Sequence, residues 1–501
     1  MGDKRESYWM DTAPATSHPP LTGDLDADVA VVGGGIAGLS TAWELSRAGR
    51  TVVVLEADRV AAGVTGYTTA KLSALHGLIY AELSKSAGEQ AAALYAASQQ
   101  EAVEHVAATA AQFAIDCDLE RLPAYTYTES ADAVADIEAE ASAARAAGLE
   151  ATLVTGTGLP YGVAAAVRVE NQAQFHPRKY LLGLTELMAR QGVVIHERTR
   201  VTELHEGSPC RLVTEDGHTV TAQDVVVATH YPVFDRALLF ARLEPRRELV
   251  VAGPIPAGSD PGGMFLTVEN DTRSVRTAPY RDSERFLIVT GERHEPGSRD
   301  ARERHERLRA WAQERFPGLR VTHAWSAQDN QTTDRLPYIG RFHVGSEHVH
   351  VATGFNGWGM STGVLSGRLL AAELTGQDSP YRDLYDPRRL HPLREAAPMA
   401  KLQLKVARHF VGDRLRTHAD HVDDIGPDSG AIVRVGGERR AVYRDPSGQL
   451  HQLSALCTHL GCVVAFDENE KAWECPCHGS RFGTDGQVLN GPATRPLPRR
   501  D

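Results

Sequence analysis

The stretch DADVAVVGGGIAGLSTAWELSRAGRTVVVLEA, residues 26–57, sets the fold of the N-terminal half of the chain. A short apolar run from Val29 to Val32 is followed by a glycine turn, and apolar residues then recur at helical spacing. A second apolar run follows at 51–55. This succession predicts a strand, a helix and a second strand that pairs with the first, which is a β–α–β unit.

The glycine turn has the spacing GxGxxG, formed by Gly33, Gly35 and Gly38. Such a turn lets the backbone approach a pyrophosphate, while the N-terminus of the following helix directs its amides at the phosphates. Glu56 ends the second predicted strand, where its carboxylate could accept hydrogen bonds from ribose hydroxyls. The stretch predicts a dinucleotide site, but by itself it leaves NAD and FAD open.

Length and composition indicate the number of domains and the general class of protein. A chain of 501 residues exceeds what one hydrophobic core usually serves, so we expect two or three domains. The net charge of -12 argues against nucleic-acid binding. No apolar run is long enough to cross a bilayer, and the polar N-terminus lacks the apolar segment of a secretory signal, so we expect no membrane anchor and a cytoplasmic protein.

Three segments far along the chain from the glycine turn resemble sequence motifs of a single protein family. They are DVVVATHYP at 224–232, TTDRLPYIG at 332–340 and HVHVATGFNGWGMSTGVLSGRLLAAEL at 348–374. With them, the chain from about Asp28 to Leu374 resembles the D-amino-acid oxidase and glycine oxidase superfamily of FAD-dependent oxidoreductases. The resemblance implies an α/β FAD-binding domain of Rossmann type with an inserted β-rich substrate domain, at about 151–175 and 243–325.

The resemblance also implies which residues contact FAD. Some members tether FAD through a cysteine before the DxxP turn, and the matching stretch SAQDNQTTD at 326–334 has none, so we expect non-covalent FAD. The implied cofactor residues are Gly33, Gly35, Gly38, Glu56, Thr65, Thr69, Val201, Ala228, Asp334, Gly354, Gly357, Gly359, Met360 and Thr362.

Candidate catalytic residues come from two segments. GVTGYTTAKLSALHG at 63–77 lies where the family passes its chain along the flavin, which nominates Lys71 and His76, although a single histidine is often only structural. In the substrate domain, Arg276 and Tyr280 are inward candidates on an alternating strand. An arginine there could bind a substrate carboxylate in bidentate fashion, or it could be a solvated or ion-paired strand residue. If no arginine faces the flavin, the substrate is an amine rather than an amino acid.

The C-terminal tenth of the chain concentrates four of its six cysteines in CTHLGC (457–462) and CPCHGS (475–480). Two cysteines and two histidines could bind zinc, but zinc would leave two further cysteines unused. The pattern resembles the disulfide-bearing Rieske proteins of cytochrome bc complexes, which implies a small all-β domain with a 2Fe-2S cluster. The implied cluster ligands are Cys457, His459, Cys475 and His478, the implied disulfide joins Cys462 to Cys477, and NGPATRPL (490–497) matches the loop that covers the cluster.

Two residues that follow His478 affect the expected reduction potential of the cluster. Ser480 can donate a hydrogen bond to a cluster sulfur, which raises the potential. Phe482 stands where the bc-complex proteins usually carry a tyrosine, so we expect a potential below theirs. The residues after His478 contain no histidine for a mononuclear iron site, so we do not expect the mechanism of the Rieske oxygenases.

These observations predict an N-terminal extension (1–24), an FAD domain (25–376), a linker with a docking helix (377–415) and a Rieske domain (416–501). The helix would present Leu402, Val406, Phe410 and Val411 on one side. The predicted function is oxidation of a C–N bond by FAD, with electrons passing through the cluster to an unidentified partner protein. A reductase with the opposite electron flow, and a redox sensor or electron carrier, remain open.

Overall fold

The computed structural model describes residues 3–234, 238–412 and 421–500, apart from the side chains at 392–394 and 411–412. Over these residues the chain forms ten α-helices and 24 β-strands. The helices are α1 (Tyr8–Thr12), α2 (Ile36–Arg47), α3 (Ile79–Ala87), α4 (Glu89–Gln112), α5 (Val134–Ala146), α6 (Pro177–Arg190), α7 (Ala301–Arg315), α8 (Gly359–Leu374), α9 (Arg382–Tyr385) and α10 (Pro392–Gly412). The strands are β1 (Leu25–Val32), β2 (Val52–Leu55), β3 (Lys71–Leu72), β4 (Glu120–Thr128), β5 (Ala151–Val154), β6 (Ala165–Gln174), β7 (Val194–His196), β8 (Val201–His205), β9 (Cys210–Thr214), β10 (Thr219–Val227), β11 (Leu243–Pro256), β12 (Met264–Thr267), β13 (Ser274–Arg281), β14 (Glu284–His294), β15 (His323–Thr332), β16 (Tyr338–Arg341), β17 (Val349–Thr353), β18 (Ser429–Val435), β19 (Glu438–Arg444), β20 (Leu450–Ser454), β21 (Ala465–Asp467), β22 (Ala472–Glu474), β23 (Arg481–Gly483) and β24 (Val488–Asn490).

The first sheet has the strand order β16-β17-β10-β1-β2-β7, and the hairpin β8–β9 joins it at β10. Strands β17, β10, β1, β2 and β7 run parallel, and β16 is antiparallel to β17. Every residue of β2 and β17 is buried, as expected for parallel strands that are covered on both faces. The carboxyl ends of β1, β10 and β17 therefore meet at one edge, and this confirms the predicted α/β domain of Rossmann type.

The second sheet has the order β15-β11-β14-β13-β12-β4-β6-β3, with β5 paired to β6. It contains both ranges expected for the substrate domain, and it also includes β3 and β4 and continues to Thr332. Leu308 and Ala312 of α7 pack against one face of this sheet. Tyr8 and Trp9 of α1 pack against the opposite face. The segment expected as an N-terminal extension is thus integrated into the fold.

The C-terminal domain consists of two small antiparallel sheets, β18–β19–β20 and β21–β22–β23–β24. Helix α10 connects it to the rest of the chain: Val406 and Phe410 pack against its hydrophobic core, while Lys405 Nζ lies 2.8 Å from carboxylate oxygens of Glu244 and Glu295. The helix therefore contacts both domains. The side chain of Val411 and the expected boundary at 415/416 lie outside the described residues.

None of the described helices has both the length and the apolar character that a membrane span requires.

Candidate functional site

The glycine turn after β1 can be built only without side chains. Gly33 has φ +109°, and a Cβ there would lie 2.5 Å from the carbonyl oxygen of Ala228. A Cβ on Gly38 would lie 1.9 Å from the carbonyl oxygen of Gly33. These approaches bring β1, β10 and α2 together at the carboxyl edge of the sheet. Gly35 is the N-cap of α2 and provides no side-chain cap, so the first-turn amides that follow Ile36, whose own amide donates to Thr65 Oγ1, can bind an anion.

Two side chains border this turn. The carboxylate of Glu56 accepts a hydrogen bond from the Gly34 amide (2.7 Å) and one from the Asp58 amide (2.8 Å), and burial raises its pKa. Thr65 Oγ1 accepts from the Ile36 amide at 3.1 Å. The predicted residues Gly33, Gly35, Gly38, Glu56, Thr65 and Ala228 are thus gathered at one place, and their small, polar and amide groups fit a pyrophosphate and a ribose. Val201 begins β8, and the amide of Thr199, two residues earlier, donates to the Glu56 carbonyl (2.8 Å).

A second helix N-terminus lies at the same edge. Gly354 follows β17 with φ +72°, and a Cβ there would lie 2.4 Å from Cγ2 of Thr332. The next turn has Gly357 at φ +88°, and α8 then begins at Gly359, with Met360 and Thr362 buried in its first turn. Helices α2 and α8 therefore begin side by side, which suits a cofactor that extends across the sheet edge.

The crossing of α2 and α8 is close because two helical positions lack side chains. A Cβ on Gly363 would lie 2.6 Å from Cγ2 of Ile36, and one on Gly367 would lie 2.5 Å from the carbonyl carbon of Ser40. Neither Gly363 nor Gly367 was predicted from the sequence to have a role. Their spacing of four residues in the segment TGVLSG was the signal for such a contact.

Lys71 and His76 both reach Trp358, which lies in the segment 354–362 that the sequence places beside the flavin ring. Lys71 Nζ donates to the Phe265 carbonyl (3.0 Å) and lies 6.0 Å from the Trp358 ring centroid, and burial lowers its pKa to about 7. The ring of His76 stacks on Trp358 with centroids 4.1 Å apart. Trp358 was not singled out from the sequence.

His76 has the environment of a structural histidine. Its Nε2 lies 2.5 Å from the carbonyl oxygen of Ser73 and its Nδ1 lies 2.6 Å from the hydroxyl of Tyr95. Burial lowers its pKa to about 3, so the ring is neutral at physiological pH. A neutral ring that donates through Nε2 and accepts through Nδ1 satisfies both contacts.

Arg276 was expected either to bind a substrate carboxylate or to be a solvated or ion-paired strand residue, and the structure shows a different environment. Its guanidinium is buried, donates to the carbonyls of Thr69 (3.1 Å) and Ala70 (2.6 Å), and lies 5.2 Å from the Trp9 ring centroid. Burial lowers its pKa to about 9. It is not solvated, and no ion pair to it is found among the described residues. Arg276 therefore supports the backbone that leads into Lys71, and Thr69 contributes its carbonyl to this support.

Tyr280 lies in the same aromatic cluster as α1. Its ring centroid is 5.3 Å from that of Phe286 and 6.4 Å from that of Tyr8. Arg276 and Tyr280 were predicted as inward candidates for the substrate site, and in the structure α1 packs against both side chains.

The side chain of Asp334 pairs with Arg389, while the carbonyl of the next residue, Arg335, accepts a hydrogen bond from Asn356 in the turn after β17 (3.2 Å). Both carboxylate oxygens of Asp334 accept hydrogen bonds from Arg389, at 2.7 and 3.0 Å, and both side chains are buried. This pairing holds the pKa of Asp334 below its usual range despite burial. The structure thus gives the side chain of Asp334 the role of an anchor for the segment after α9, and the cofactor role implied by the resemblance stays a prediction.

The two C-terminal loops have the same backbone design. The Gly461 amide donates to the Cys457 carbonyl and the Gly479 amide donates to the Cys475 carbonyl, each at 2.9 Å. The expected disulfide is present between Cys462 and Cys477. It joins the two loops and removes both cysteines from the set of available metal ligands.

The four predicted ligands face one another between these loops. Cys457 and Cys475 are buried as free thiols, and the ring centroids of His459 and His478 are 5.0 Å apart. A hydrogen bond between the two thiols lowers the pKa of Cys457 to about 7, with smaller contributions from the His459 amide and Ser480. Two sulfurs and two imidazoles in this arrangement fit a cluster whose irons have different ligands.

The predicted covering loop lies over these residues. The Thr458 hydroxyl donates to the Arg495 carbonyl (2.6 Å), and the Ala493 amide donates to the hydroxyl oxygen of Ser480 (3.0 Å). The two domains also meet here, because the ring of His478 lies 6.1 Å from that of Tyr231 and 6.0 Å from that of Phe240.

Comparison with known proteins agrees with this division of the chain. A family model described as FAD dependent oxidoreductase matches residues 28–373, and a Rieske [2Fe-2S] domain model matches residues 416–500. A protein of Bacillus subtilis (strain 168) named as a Rieske 2Fe-2S iron-sulfur protein, YhfW, is 34% identical over 498 residues, which cover 99% of this chain and 97% of that protein.

Two further relatives match the first domain. Gamma-glutamylputrescine oxidoreductase of Escherichia coli (strain K12) is 25% identical and covers 75% of this chain and 90% of its own. The crystal structure of glycine oxidase from Geobacillus kaustophilus superimposes with a TM-score of 0.58 at 20% identity, covering 73% of this chain and all of that one, and shows a shared fold. The chain therefore belongs to the family of FAD-dependent oxidoreductases and is a member that carries a Rieske [2Fe-2S] domain at its C-terminal end.

Proposed function

We propose that this enzyme oxidises the C–N bond of an amine and passes the electrons from FAD through the Rieske cluster to an external one-electron acceptor. The observation that carries the proposal is the position of Lys71. Burial lowers the pKa of this lysine to about 7, and its Nζ lies 6.0 Å from the ring centroid of Trp358 in the segment assigned to the flavin ring.

A lysine of this kind suits C–N oxidation. An amine arrives mostly as its ammonium ion, and this ion must lose a proton before the neighbouring carbon can give up a hydride. Burial lowers the pKa of Lys71 to about 7, so near neutral pH much of this lysine is neutral and has a free lone pair that can accept that proton. Bound FAD supplies the hydride acceptor, and a 2Fe-2S cluster supplies a one-electron carrier.

The environment of Arg276 supports an amine over an amino acid. Its guanidinium binds the carbonyls of Thr69 and Ala70, so it is not the bidentate carboxylate site that an amino acid would use. The name of the Escherichia coli relative, gamma-glutamylputrescine oxidoreductase, points to the same substrate class. No cysteine lies at the tethering position, so we propose that FAD is bound non-covalently and is released into the supernatant when the protein is unfolded.

The test is low-temperature EPR after anaerobic mixing of the purified protein with separate pools of amines and amino acids, with dithionite as the reference reductant. A Rieske signal produced by the amine pool, together with bleaching of the flavin, supports the proposal. A signal with dithionite alone overturns it and favours a reductase or a redox sensor. Flavin bleaching without a cluster signal overturns the electron route while it leaves amine oxidation in place.

A further inference from the structure

The Rieske domain is docked on the FAD domain through a buried set of charges. We call Arg247, Glu470, Glu474 and Arg481 the docking network. Arg247 belongs to β11 of the FAD domain and has no solvent exposure, and its guanidinium contacts Glu470 at 2.7 Å and Glu474 at 2.5 Å. Arg481 of the Rieske domain contacts the same two carboxylates. The docking network therefore combines one arginine of the FAD domain with an arginine and two carboxylates of the Rieske domain.

Backbone groups of the FAD domain bind the same carboxylates. The Gly297 amide donates to Glu474 (2.8 Å) and the Ser326 amide donates to Glu470 (3.0 Å). Each carboxylate therefore has a fixed position relative to strands β11 and β15. Directional contacts of this kind set the register of the two domains.

The FAD domain also contacts the loop that carries His478. Gln328 Nε2 donates to the carbonyl of Gly479 (3.0 Å), and a Cβ on Gly479 would lie 2.9 Å from Cβ of Pro245. The residue beside this cluster ligand is thus packed against β11 and β15, which places His478 against Tyr231 and Phe240.

Tyr231 is connected to the segment assigned to the flavin ring. It follows His230, whose carbonyl accepts hydrogen bonds from Thr353 Oγ1 (2.5 Å) and Asn330 Nδ2 (3.2 Å). Thr353 directly precedes Gly354 at the carboxyl edge. A short run of packed and hydrogen-bonded residues therefore leads from the flavin side of the FAD domain to His478.

We propose that the cluster takes its electrons from the FAD of the same chain at the contact of His478 with Tyr231 and Phe240, and that the docking network keeps this contact closed during turnover. The inference rests on the proposed function for the direction of electron flow. Reduced FAD holds two electrons and the oxidised cluster accepts one. The cluster is therefore reduced and reoxidised twice for each substrate, and each reoxidation passes one electron to the external acceptor. Tyr231 and Arg247 act as positioning residues.

The experiment reduces the flavin without substrate. A laser flash in the presence of EDTA reduces the FAD of the holoprotein, and freeze-quench EPR follows reduction of the cluster at several protein concentrations. Transfer within one chain gives a first-order rate constant that does not change with concentration. A rate constant that rises in proportion to concentration overturns the proposal.

Two sets of variants test the residues. Arg247→Met is expected to slow cluster reduction about tenfold and to enlarge the radius of gyration in small-angle X-ray scattering, while both midpoint potentials stay at their wild-type values. Arg302→Met, which removes a solvent-exposed arginine from α7, is the matched control and should behave like the wild type. A wild-type rate in Arg247→Met overturns the role of the docking network.

Tyr231→Leu and Tyr231→Phe provide a second test that does not disturb buried charge. The leucine variant loses the ring against His478 and should slow transfer about tenfold, whereas the phenylalanine variant keeps the ring and should restore the rate. Equal rates in these two variants overturn the role of the Tyr231 ring. If no amine reduces the flavin but a flash still reduces the cluster at a concentration-independent rate, the proposed function fails and the contact between the two centres stands.

Discussion

Replacing Lys71 by methionine should make the protein more stable and less active, and this combination separates a catalytic lysine from a structural one. Lys71 has its pKa lowered from 10.5 to about 7 because its ammonium group is buried. A displacement of that size corresponds to about 5 kcal/mol of disfavoured charge. Since the side chain keeps partial contact with the surface, we expect about half of this, roughly 2 kcal/mol, to appear as increased stability of Lys71→Met near neutral pH.

The dependence on pH follows from proton binding in the two states. Between about pH 7 and pH 10.5 the unfolded chain holds the Lys71 proton and the folded protein does not, so the stability of the wild type rises with pH across this window. Below pH 7 both states are protonated and the penalty is constant. The advantage of Lys71→Met should therefore be full below pH 7 and should shrink as the pH rises.

The assays are thermal unfolding of the FAD-loaded proteins from pH 6 to pH 10, and the rate of anaerobic flavin reduction by the amine identified in the substrate screen. In the wild type, the rate should rise with pH through about 7 as Lys71 loses its proton. In Lys71→Met the rate should be low and should lack this step. A variant that is less stable at every pH and keeps the wild-type rate profile would refute the reasoning and would make Lys71 a structural donor to the Phe265 carbonyl.

Three further outcomes are expected. Ser480→Ala should lower the midpoint potential of the cluster by about 40 mV in a redox titration followed by EPR, because it removes a hydrogen bond of about 1 kcal/mol beside Cys457. Phe482→Tyr should shift the same titration upward, because it adds the hydroxyl that the bc-complex proteins usually carry at this buried position, and an unchanged potential would contradict the prediction that Phe482 keeps the potential below theirs. Asp334→Asn should lower the unfolding midpoint by breaking a buried ion pair, a change that costs about 3–5 kcal/mol, while the folded protein keeps its wild-type ratio of FAD to polypeptide; loss of FAD without loss of stability would support the cofactor role.

The parts of the site that depend only on residues close together in the sequence were predictable from the sequence. Positive φ at Gly33 and close approach at Gly38 are properties of one turn, and the GxGxxG spacing reports both. The repeated loops around Cys457 and Cys475 are likewise local, since each is closed by a hydrogen bond over four residues. A pattern of residue types within a short window is enough to specify such structures.

Residues whose partners lie far along the chain were predicted less well. Alternation on β13 placed Arg276 and Tyr280 on one face, but it did not indicate that α1 packs on that face. Asp334 matched the family pattern, and its partner Arg389 lies in a segment that was read as a plain linker. A strand pattern specifies which residues share a face, while the element that packs on that face is decided by the tertiary fold.

Arg247 is a charged residue whose environment likewise could not be predicted from the local sequence pattern. A charged residue on a strand normally indicates a solvent-exposed face, yet Arg247 is fully buried, because Glu470 and Glu474 from the other domain meet it there. Nothing near Arg247 in the sequence reports these carboxylates, which follow it by more than 200 residues.

The burial of these charges also indicates what the interface is for. Removing an arginine and two carboxylates from water costs about as much as their attraction returns, so the intact docking network adds little net strength, whereas loss of Arg247 alone would leave two buried carboxylates short of a partner and would open the contact. Apolar contacts such as those of Val406 and Phe410 with the Rieske core are better suited to supply strength. What the docking network does supply is direction, because each carboxylate also accepts a backbone amide of the FAD domain. An interface that only tethered the Rieske domain would not need such contacts, whereas one that must hold His478 at a fixed distance from Tyr231 does.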